Sequence, residues 1–121
     1  MAWSFDGKSP VSLQIARKLR IDILKGAYPV GTQFPTVRQL ACDASVNPNT
    51  MQKALTILEG EGLLISKTTI GRFVTEDEAV LREALAASQK EYLESIAVGA
   101  RALGITKSDV LKFFEESEDL L

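Results

Sequence analysis

The sequence predicts an α+β fold that is mainly α-helical, and three features of its 121 residues support this. Two helix-start signals follow one another at Thr36 and Asn47, with room for only a tight turn between the helices they open. After Gly62 the apolar spacing becomes that of a β-hairpin, and it then returns to that of a long helix. We therefore expect a winged helix-turn-helix N-terminal domain over residues 1–75, followed over residues 76–121 by a short two-helix C-terminal dimerisation tail.

The first helix is predicted over residues 10–25, where a Ser-Pro pair opens it and Gly26 ends it as a left-handed residue. The residues before it, 1–8, are expected to form an arm. Its apolar residues recur at three- and four-residue spacing and so share one face: Ile15, Ala16, Leu19 and Ile23. In the connection that follows, which is rich in proline and glycine, we expect a very short strand over residues 32–34.

Two capping signals predict the central pair of helices. Thr36 and Gln39 form a capping box, which opens a helix over residues 37–44. Asn47, followed by proline, opens a second helix over residues 48–61. The inward positions of that second helix are Met51, Ala54, Leu55 and Leu58. Its first turn is polar, which suits a helix that enters the major groove of DNA.

The residues after Gly62 predict a β-hairpin. Residues 63–66 and 72–75 are apolar and partly β-branched, and the five residues between them end in Gly71, the expected position of positive φ. We call this hairpin, residues 63–75, the wing. In a winged helix the tip of such a hairpin contacts the DNA backbone or the minor groove beside the recognition helix.

An apolar seam runs through the tail. It continues to a stop at Gly104, and a capping box at Thr106 and Asp109 then starts a last helix. Two helices cannot bury this much apolar surface on each other, so they either fold back on the winged helix or pair with a second copy, and we expect pairing. The residues expected to dimerise are Leu81, Leu85, Tyr92, Ile96, Leu103, Val110, Phe113 and Phe114.

Some of the aromatic and apolar residues of the tail also suit a pocket for a small-molecule effector. These residues are Tyr92, Ile96, Phe113 and Phe114. Core packing is the default interpretation, because aromatic residues at helical spacing are mostly interior. The sequence does not identify an effector.

The charge distribution favours a DNA-facing module. The net charge is −2, yet residues 1–75 hold nine Lys and Arg against five Asp and Glu, whereas residues 76–121 hold five against eleven. A basic front and an acidic back suit a domain that binds DNA and a tail that faces away from it. The alternative is that the acidic tail is only a solvated helix surface.

Composition excludes several other classes of protein. The one cysteine, Cys42, rules out an internal disulfide and a cysteine-cluster metal site, and we interpret it as a buried, inert thiol. Histidine, the commonest general base, is absent, so we expect neither an enzyme nor a cofactor. No apolar run is long enough to span a membrane and no leader is evident, so we expect a cytoplasmic protein without a membrane partner.

A series of residue types at fixed spacing runs through residues 9–75 and closes with the GRFV of the wing. Its members are Gln14, Ile15, Gly26, Gly31, Pro35, Thr36, Arg38, Leu40, Ala41, Thr50, Ala54, Leu55, Leu58, Glu61, Gly62 and Leu63. This pattern resembles the GntR family of bacterial transcription regulators. The NPNT start of the third helix and the short helical tail are similar to its YtrA subfamily. The resemblance implies a homodimer paired through the tail, and a regulator, usually a repressor, often of transporter operons.

The resemblance and the chemistry of the side chains together indicate a DNA-binding set. It comprises Arg38, Asn47, Asn49, Thr50, Gln52, Lys53, Lys67, Thr68, Thr69, Gly71 and Arg72. We assign Asn49 and Gln52 to base edges, because Asn and Gln bond adenine, and Thr50 and Lys53 to the backbone. Arg38 matches the family's arginine early in the second helix, which usually reaches DNA.

Three positions depart from the better-known family pattern. Pro48 and Gln52 stand where many members have arginine, which leads to the hypothesis of an A·T-leaning operator with few guanine contacts. Thr69 stands where the family often has glycine, so the wing turn is expected to differ.

The sequence therefore predicts a homodimeric, sequence-specific DNA-binding repressor acting on an inverted-repeat operator in double-stranded DNA. The alternative is a winged helix used for protein–protein assembly without operator specificity. The polar, basic first turn of the third helix argues against that alternative.

Overall fold

The computed structural model describes residues 3–118 of the chain. The elements in chain order are α1 (Val11–Leu24), α2 (Val37–Ala44), α3 (Pro48–Gly60), β1 (Leu64–Lys67), β2 (Gly71–Val74), α4 (Glu78–Ala102) and α5 (Lys107–Glu116). The mainly helical winged helix-turn-helix fold is confirmed. Helices α1, α2 and α3 each begin and end within about one residue of their predicted bounds.

The capping residues begin the helices where the sequence predicts. Thr36 Oγ1 accepts from the Gln39 N–H at 3.1 Å, and Gln39 Oε1 accepts from the Thr36 N–H at 2.8 Å, which completes the capping box. Asn47 Oδ1 accepts from the Asn49 N–H at 2.7 Å. Ser45, with φ +55°, makes the tight turn between α2 and α3.

The core of the domain forms where α1 and α2 pack on α3. The predicted inward faces of α1 and α3 are all buried: Ile15, Ala16, Leu19 and Ile23 on α1, and Met51, Ala54, Leu55 and Leu58 on α3. Leu40, Ala41 and Ala44 join the cluster from α2, and its other members are Phe34, Leu63, Leu64 and Val74. Because α3 buries only one stripe, its opposite side is left facing solvent.

The wing is an antiparallel pair in which Leu64 lies opposite Val74 and Lys67 opposite Gly71. Gly71 has φ +133°, as predicted, and Thr68 also has a positive φ, of +24°, which the sequence did not indicate. The strand expected over residues 32–34 is reduced to a single bridge between Gln33 and Phe73. Pro35 follows directly and has no N–H with which to extend the pairing.

The chain divides into two compact units, one ending at Leu85 and the other beginning at Ala86. The division therefore falls ten residues beyond the predicted boundary after residue 75, because Val80, Leu81 and Ala84 pack on the core of the first unit. Leu81, which we expected in the dimer seam, is thus half-buried within its own domain.

The second unit exposes most of its apolar side chains. Neither α4 nor α5 has a buried residue in the described part of the chain. Tyr92 is 68 % exposed, Leu103 79 % and Phe113 58 %. The two helices therefore do not bury the predicted seam on each other.

The turn between α4 and α5 follows its predicted signals. Gly104 ends α4 with φ +70°, and Thr106 and Asp109 form the reciprocal capping box that starts α5. The hydrogen bond from the Thr106 backbone N–H, followed by the one with the Thr106 side chain, lowers the pKa of the Asp109 carboxyl. The contribution of this cap to stability is consequently present above the ordinary pKa of an aspartate and is lost as the pH falls through the lowered value.

Among residues 3–118 no helix is both long enough and apolar enough to cross a membrane.

We predict that Leu55→Ala lowers the free energy of unfolding by about 2–5 kcal/mol, because it opens a cavity where α1, α2 and α3 meet. Urea denaturation of the full chain measures this change. Leu13→Ala removes the same atoms from an exposed position on α1, and we expect it to cost less than about 0.5 kcal/mol. Equal losses for the two variants would contradict the assignment of the core to α3.

Candidate DNA-binding interface

The first turns of α3 present polar side chains to solvent. Asn47, Asn49, Gln52 and Lys53 are exposed, and Thr50 is half-buried. The apolar stripe on the opposite side of α3 holds the helix against the domain, so these groups are presented on a fixed surface. The helix dipole adds partial positive charge beside them at the start of α3, which favours a phosphate.

The cap restricts what Asn47 can offer to DNA. Its Oδ1 is occupied by the Asn49 N–H, which leaves the side-chain NH₂ as its free donor. A donor alone suits a phosphate oxygen better than the paired donor and acceptor of an adenine edge. The structure therefore favours a capping and backbone role for Asn47.

Gln52 is oriented along the helix by Thr56, a residue the sequence analysis missed. Gln52 Nε2 lies 3.4 Å from Thr56 Oγ1, and that hydroxyl donates to the Gln52 carbonyl at 2.9 Å. Thr56 is exposed one turn further along α3. Its four-residue spacing from Gln52 on a polar face is the signal that would have identified it.

Two of the predicted DNA-binding residues are exposed cations: Arg38 in the first turn of α2 and Lys53 in α3. Within residues 3–118 neither forms an ion pair. Both are therefore available to a phosphate, in agreement with the prediction, which nevertheless stays a prediction.

The tip of the wing carries little free charge. Thr68, Thr69 and Ile70 are exposed there, and the Ile70 N–H donates to the Lys67 carbonyl at 2.8 Å to close the turn. Lys67 Nζ lies 4.4 Å from the centre of the Phe73 ring, and this cation–π contact directs the lysine side chain towards Phe73 on the neighbouring strand. Lys67, Thr68 and Thr69 are all exposed, as a DNA contact requires.

Gly71 acts through its backbone. A Cβ at this position would lie 3.0 Å from Gln33 Nε2, which donates to the Ile70 carbonyl at 2.9 Å. Together with its positive φ, this close approach explains why a glycine is needed there. Gly71 therefore shapes the wing, and its contact with DNA through the main chain stays a prediction.

Arg72 is predicted to contact DNA from the wing, and the structure shows its side chain paired within its own domain. Its side chain is only 18 % exposed, and its Nε donates to Oε1 of Glu59 near the end of α3. Glu59 is not among the residues predicted from the sequence. The available signal was a carboxylate in the last turn of a helix, where the helix dipole disfavours negative charge and a cation is expected nearby.

A second ion pair joins α3 to α1. Arg20 Nε and Nη2 donate to the two carboxylate oxygens of Glu61 at 2.7 and 2.5 Å. Such a fork fixes the relative orientation of the two side chains.

The interpretation of Cys42 as a buried thiol is wrong, because its side chain is exposed. The inward positions of α2 are occupied by Leu40, Ala41 and Ala44. With 100° between successive helical residues, position 42 is turned away from that stripe. The general preference of cysteine for interiors is overridden here by the helix period.

A helix-turn-helix whose second helix exposes a polar start beside a hairpin defines a DNA-binding winged helix. Within that class, the family model described as bacterial regulatory proteins, gntR family, matches residues 11–74, which is more than half of the chain. The chain belongs to the GntR family.

Individual relatives agree with this assignment. The HTH-type transcriptional regulator Rv1152 of Mycobacterium tuberculosis is 34 % identical, over 91 % of this chain and 87 % of its own length. The HTH-type transcriptional repressor YtrA of Bacillus subtilis is 29 % identical, over 89 % of this chain and 84 % of its own length. The predicted YtrA-like resemblance is thus confirmed. The family and these relatives are transcription regulators rather than enzymes, as the sequence predicted.

Solved structures show the same fold. A GntR family transcriptional regulator from Listeria monocytogenes superposes with a TM-score of 0.82 at 28 % identity, covering 94 % of this chain and all of that one. AraR(DBD), solved in complex with operator ORX1, superposes with a TM-score of 0.56 at 25 % identity, covering 62 % of this chain and 95 % of that one.

We predict that Asn47→Ala lowers the free energy of unfolding by about 1 kcal/mol, because the Asn49 N–H loses its acceptor. Asn47→Ser keeps a side-chain oxygen at the cap and is expected to retain most of that stability. Thermal unfolding of the two variants measures the difference. If serine proved as costly as alanine, the cap would not be the stabilising role of Asn47.

Proposed function

We propose that this GntR-family DNA-binding regulator is a repressor that binds an inverted-repeat operator as a homodimer. The observation that best supports the proposal is the exposed polar start of α3 opposite a fully buried apolar stripe. AraR(DBD) was solved with its operator, and YtrA is named a repressor, which supports operator binding and repression here.

The proposed contacts follow the exposure of the side chains. Asn49 and Gln52 read base edges in the major groove, while Thr50 and Lys53 hold the backbone. Arg38 reaches a phosphate or a guanine from the start of α2. Asn47 adds a donor to the backbone, and the wing adds Lys67, Thr68 and Thr69.

The exposed seam of the second unit supports pairing of two chains. Two open clefts, which share Ile96, Ala100, Ile105 and Val110 in their linings, lie along α4 and α5. Large apolar side chains left exposed around them mark a surface that a partner covers. A second copy is the partner proposed, because the YtrA-like resemblance implies that the tail mediates pairing.

Phe113 and Phe114 contact each other edge to face, with ring centres 5.6 Å apart. The proposed interface consists of Leu85, the last residue of the first unit, and of Tyr92, Ile96, Leu103, Val110, Phe113 and Phe114 in the second. We assign the clefts to the partner chain rather than to a small-molecule effector, since they are open and Ile96 and Val110 of this seam line both of them.

Two-fold symmetry in the dimer requires two-fold symmetry in the operator, with half-sites about one helical turn apart. The proposal includes a cytoplasmic location, where a regulator of this kind would meet its operator. The YtrA-like resemblance extends the proposal to operators that control transporter genes.

We predict that selection of duplexes from a randomised pool by the purified protein enriches an inverted repeat. Gln52→Ala should relax the preference at one position of each half-site, where the lost contact is worth about 1–3 kcal/mol. Lys53→Ala should instead weaken binding to all sequences alike and reduce the salt slope of binding by about one.

The same selection tests the alternatives. Binding without enrichment would contradict sequence-specific recognition, and no binding at all would favour protein–protein assembly. Half-sites rich in G·C at the contacted positions would contradict the hypothesis of an A·T-leaning operator.

We predict that Leu103→Glu shifts the protein from dimer towards monomer in sedimentation velocity, because it would bury a charge in the apolar seam. Val98→Glu is the matched control, since Val98 is also an exposed apolar residue, on α4, but lies outside the seam. Equal behaviour of the two variants would exclude the seam as the dimer interface.

A further inference from the structure

Both glutamates at the end of the recognition helix α3 are paired, each with an arginine of a different element. Glu59 pairs with Arg72 of the wing, and Glu61 pairs with Arg20 of α1. The two carboxylates are two residues apart and carry the same charge. Their arginine partners, however, tie α3 to different parts of the domain.

The ion pair between Glu59 and Arg72 is partly shielded from water. The Arg72 side chain is 18 % exposed and that of Glu59 is 29 % exposed. Partial burial restricts both side chains and reduces screening by salt, so such a pair is a stronger geometric constraint than one on the open surface.

The wing is also held from the segment that precedes α2. The Phe34 N–H donates to the Arg72 carbonyl at 2.8 Å, and Gln33 Nε2 donates to the Ile70 carbonyl at 2.9 Å. The main chain of Arg72 is therefore fixed by Phe34 while its side chain reaches α3. In this arrangement the guanidinium is turned towards the recognition helix and away from an exposed position at the wing tip.

We propose that Arg72 is a positioning residue, which fixes the wing relative to α3 through Glu59 and does not itself bind a DNA phosphate. This inference rests on the proposed DNA-binding function. Lys67, Thr68 and Thr69 then meet the DNA at a place set by the ion pair, so that the wing and the first turns of α3 engage one duplex together.

Glu59→Gln distinguishes a positioning role for Arg72 from a phosphate-binding role, because the two roles predict opposite changes in operator affinity. If Arg72 were a phosphate ligand, the substitution would remove a repelling charge and release the arginine, so operator affinity would rise. If Arg72 positions the wing, the same substitution loosens it. We then expect operator affinity to fall about fivefold, which corresponds to a coupling of about 1 kcal/mol.

Glu61→Gln is the matched control. It removes the same charge from the same end of α3, but its ion pair leads to α1 rather than to the wing. We expect its operator affinity to stay within about twofold of the wild type. Thermal unfolding of both variants shows whether a lost affinity follows a lost fold.

The salt dependence of binding gives a second readout. Arg72→Gln should weaken binding while leaving the slope of log K against log salt unchanged, whereas losing a phosphate ligand would reduce that slope by about one. The exchanged pair Glu59→Arg with Arg72→Glu should recover affinity lost in either single variant, since it restores the attraction between α3 and the wing.

The outcomes are distinct. Tighter binding by Glu59→Gln, or a slope reduced by about one in Arg72→Gln, would overturn the positioning role while leaving the operator function standing. Failure of the wild-type protein to bind any duplex would overturn the proposed function, and the positioning role with it. The positioning role would be established by two results together. Glu59→Gln would bind the operator more weakly while Glu61→Gln would not, and Arg72→Gln would keep the wild-type salt slope.

Discussion

Burial of one stripe of α3 is the constraint on which the rest of the structure depends. Met51, Ala54, Leu55 and Leu58 are fully buried against α1 and α2. A helix that is anchored along one stripe has no rotational freedom, so the residues on its other side are fixed in direction as well. The polar surface proposed to face DNA is thus a consequence of the hydrophobic core.

Local signals made most of the fold predictable. Helix starts depend on a few neighbouring residues, so the capping boxes at Thr36 and Thr106 and the cap at Asn47 could be recognised from the sequence alone. The prediction for Cys42 failed because it used an average preference of the residue type where the helix period gave the opposite answer. The partner of Arg72 could not be predicted either, because Glu59 lies 13 residues away and the contact depends on how the wing packs.

The ion pairs change how the basic character of the domain should be understood. Residues 1–75 have an excess of basic residues, yet Lys18, Arg20 and Arg72 are paired with carboxylates of the same domain. A charge that is neutralised internally contributes little to the release of counterions from DNA. Net charge therefore overstates the number of basic side chains available to phosphates, and the proposed recognition depends more on Asn, Gln and Thr at the start of α3.

The apolar period of α4 illustrates what periodicity can and cannot determine. A single series of spacings runs from Leu81 to Leu103, but Leu81 packs on the core of its own domain whereas Leu103 is exposed. Periodicity reports that a face is apolar, and it gives no information about which surface covers that face. The change from packed to exposed apolar residues occurs where the surface of the first unit ends, and this position depends on the tertiary structure. Beyond it, the same stripe needs a different partner. The proposed two-fold pairing would satisfy this need, because each chain would cover in the other the surface that it exposes itself.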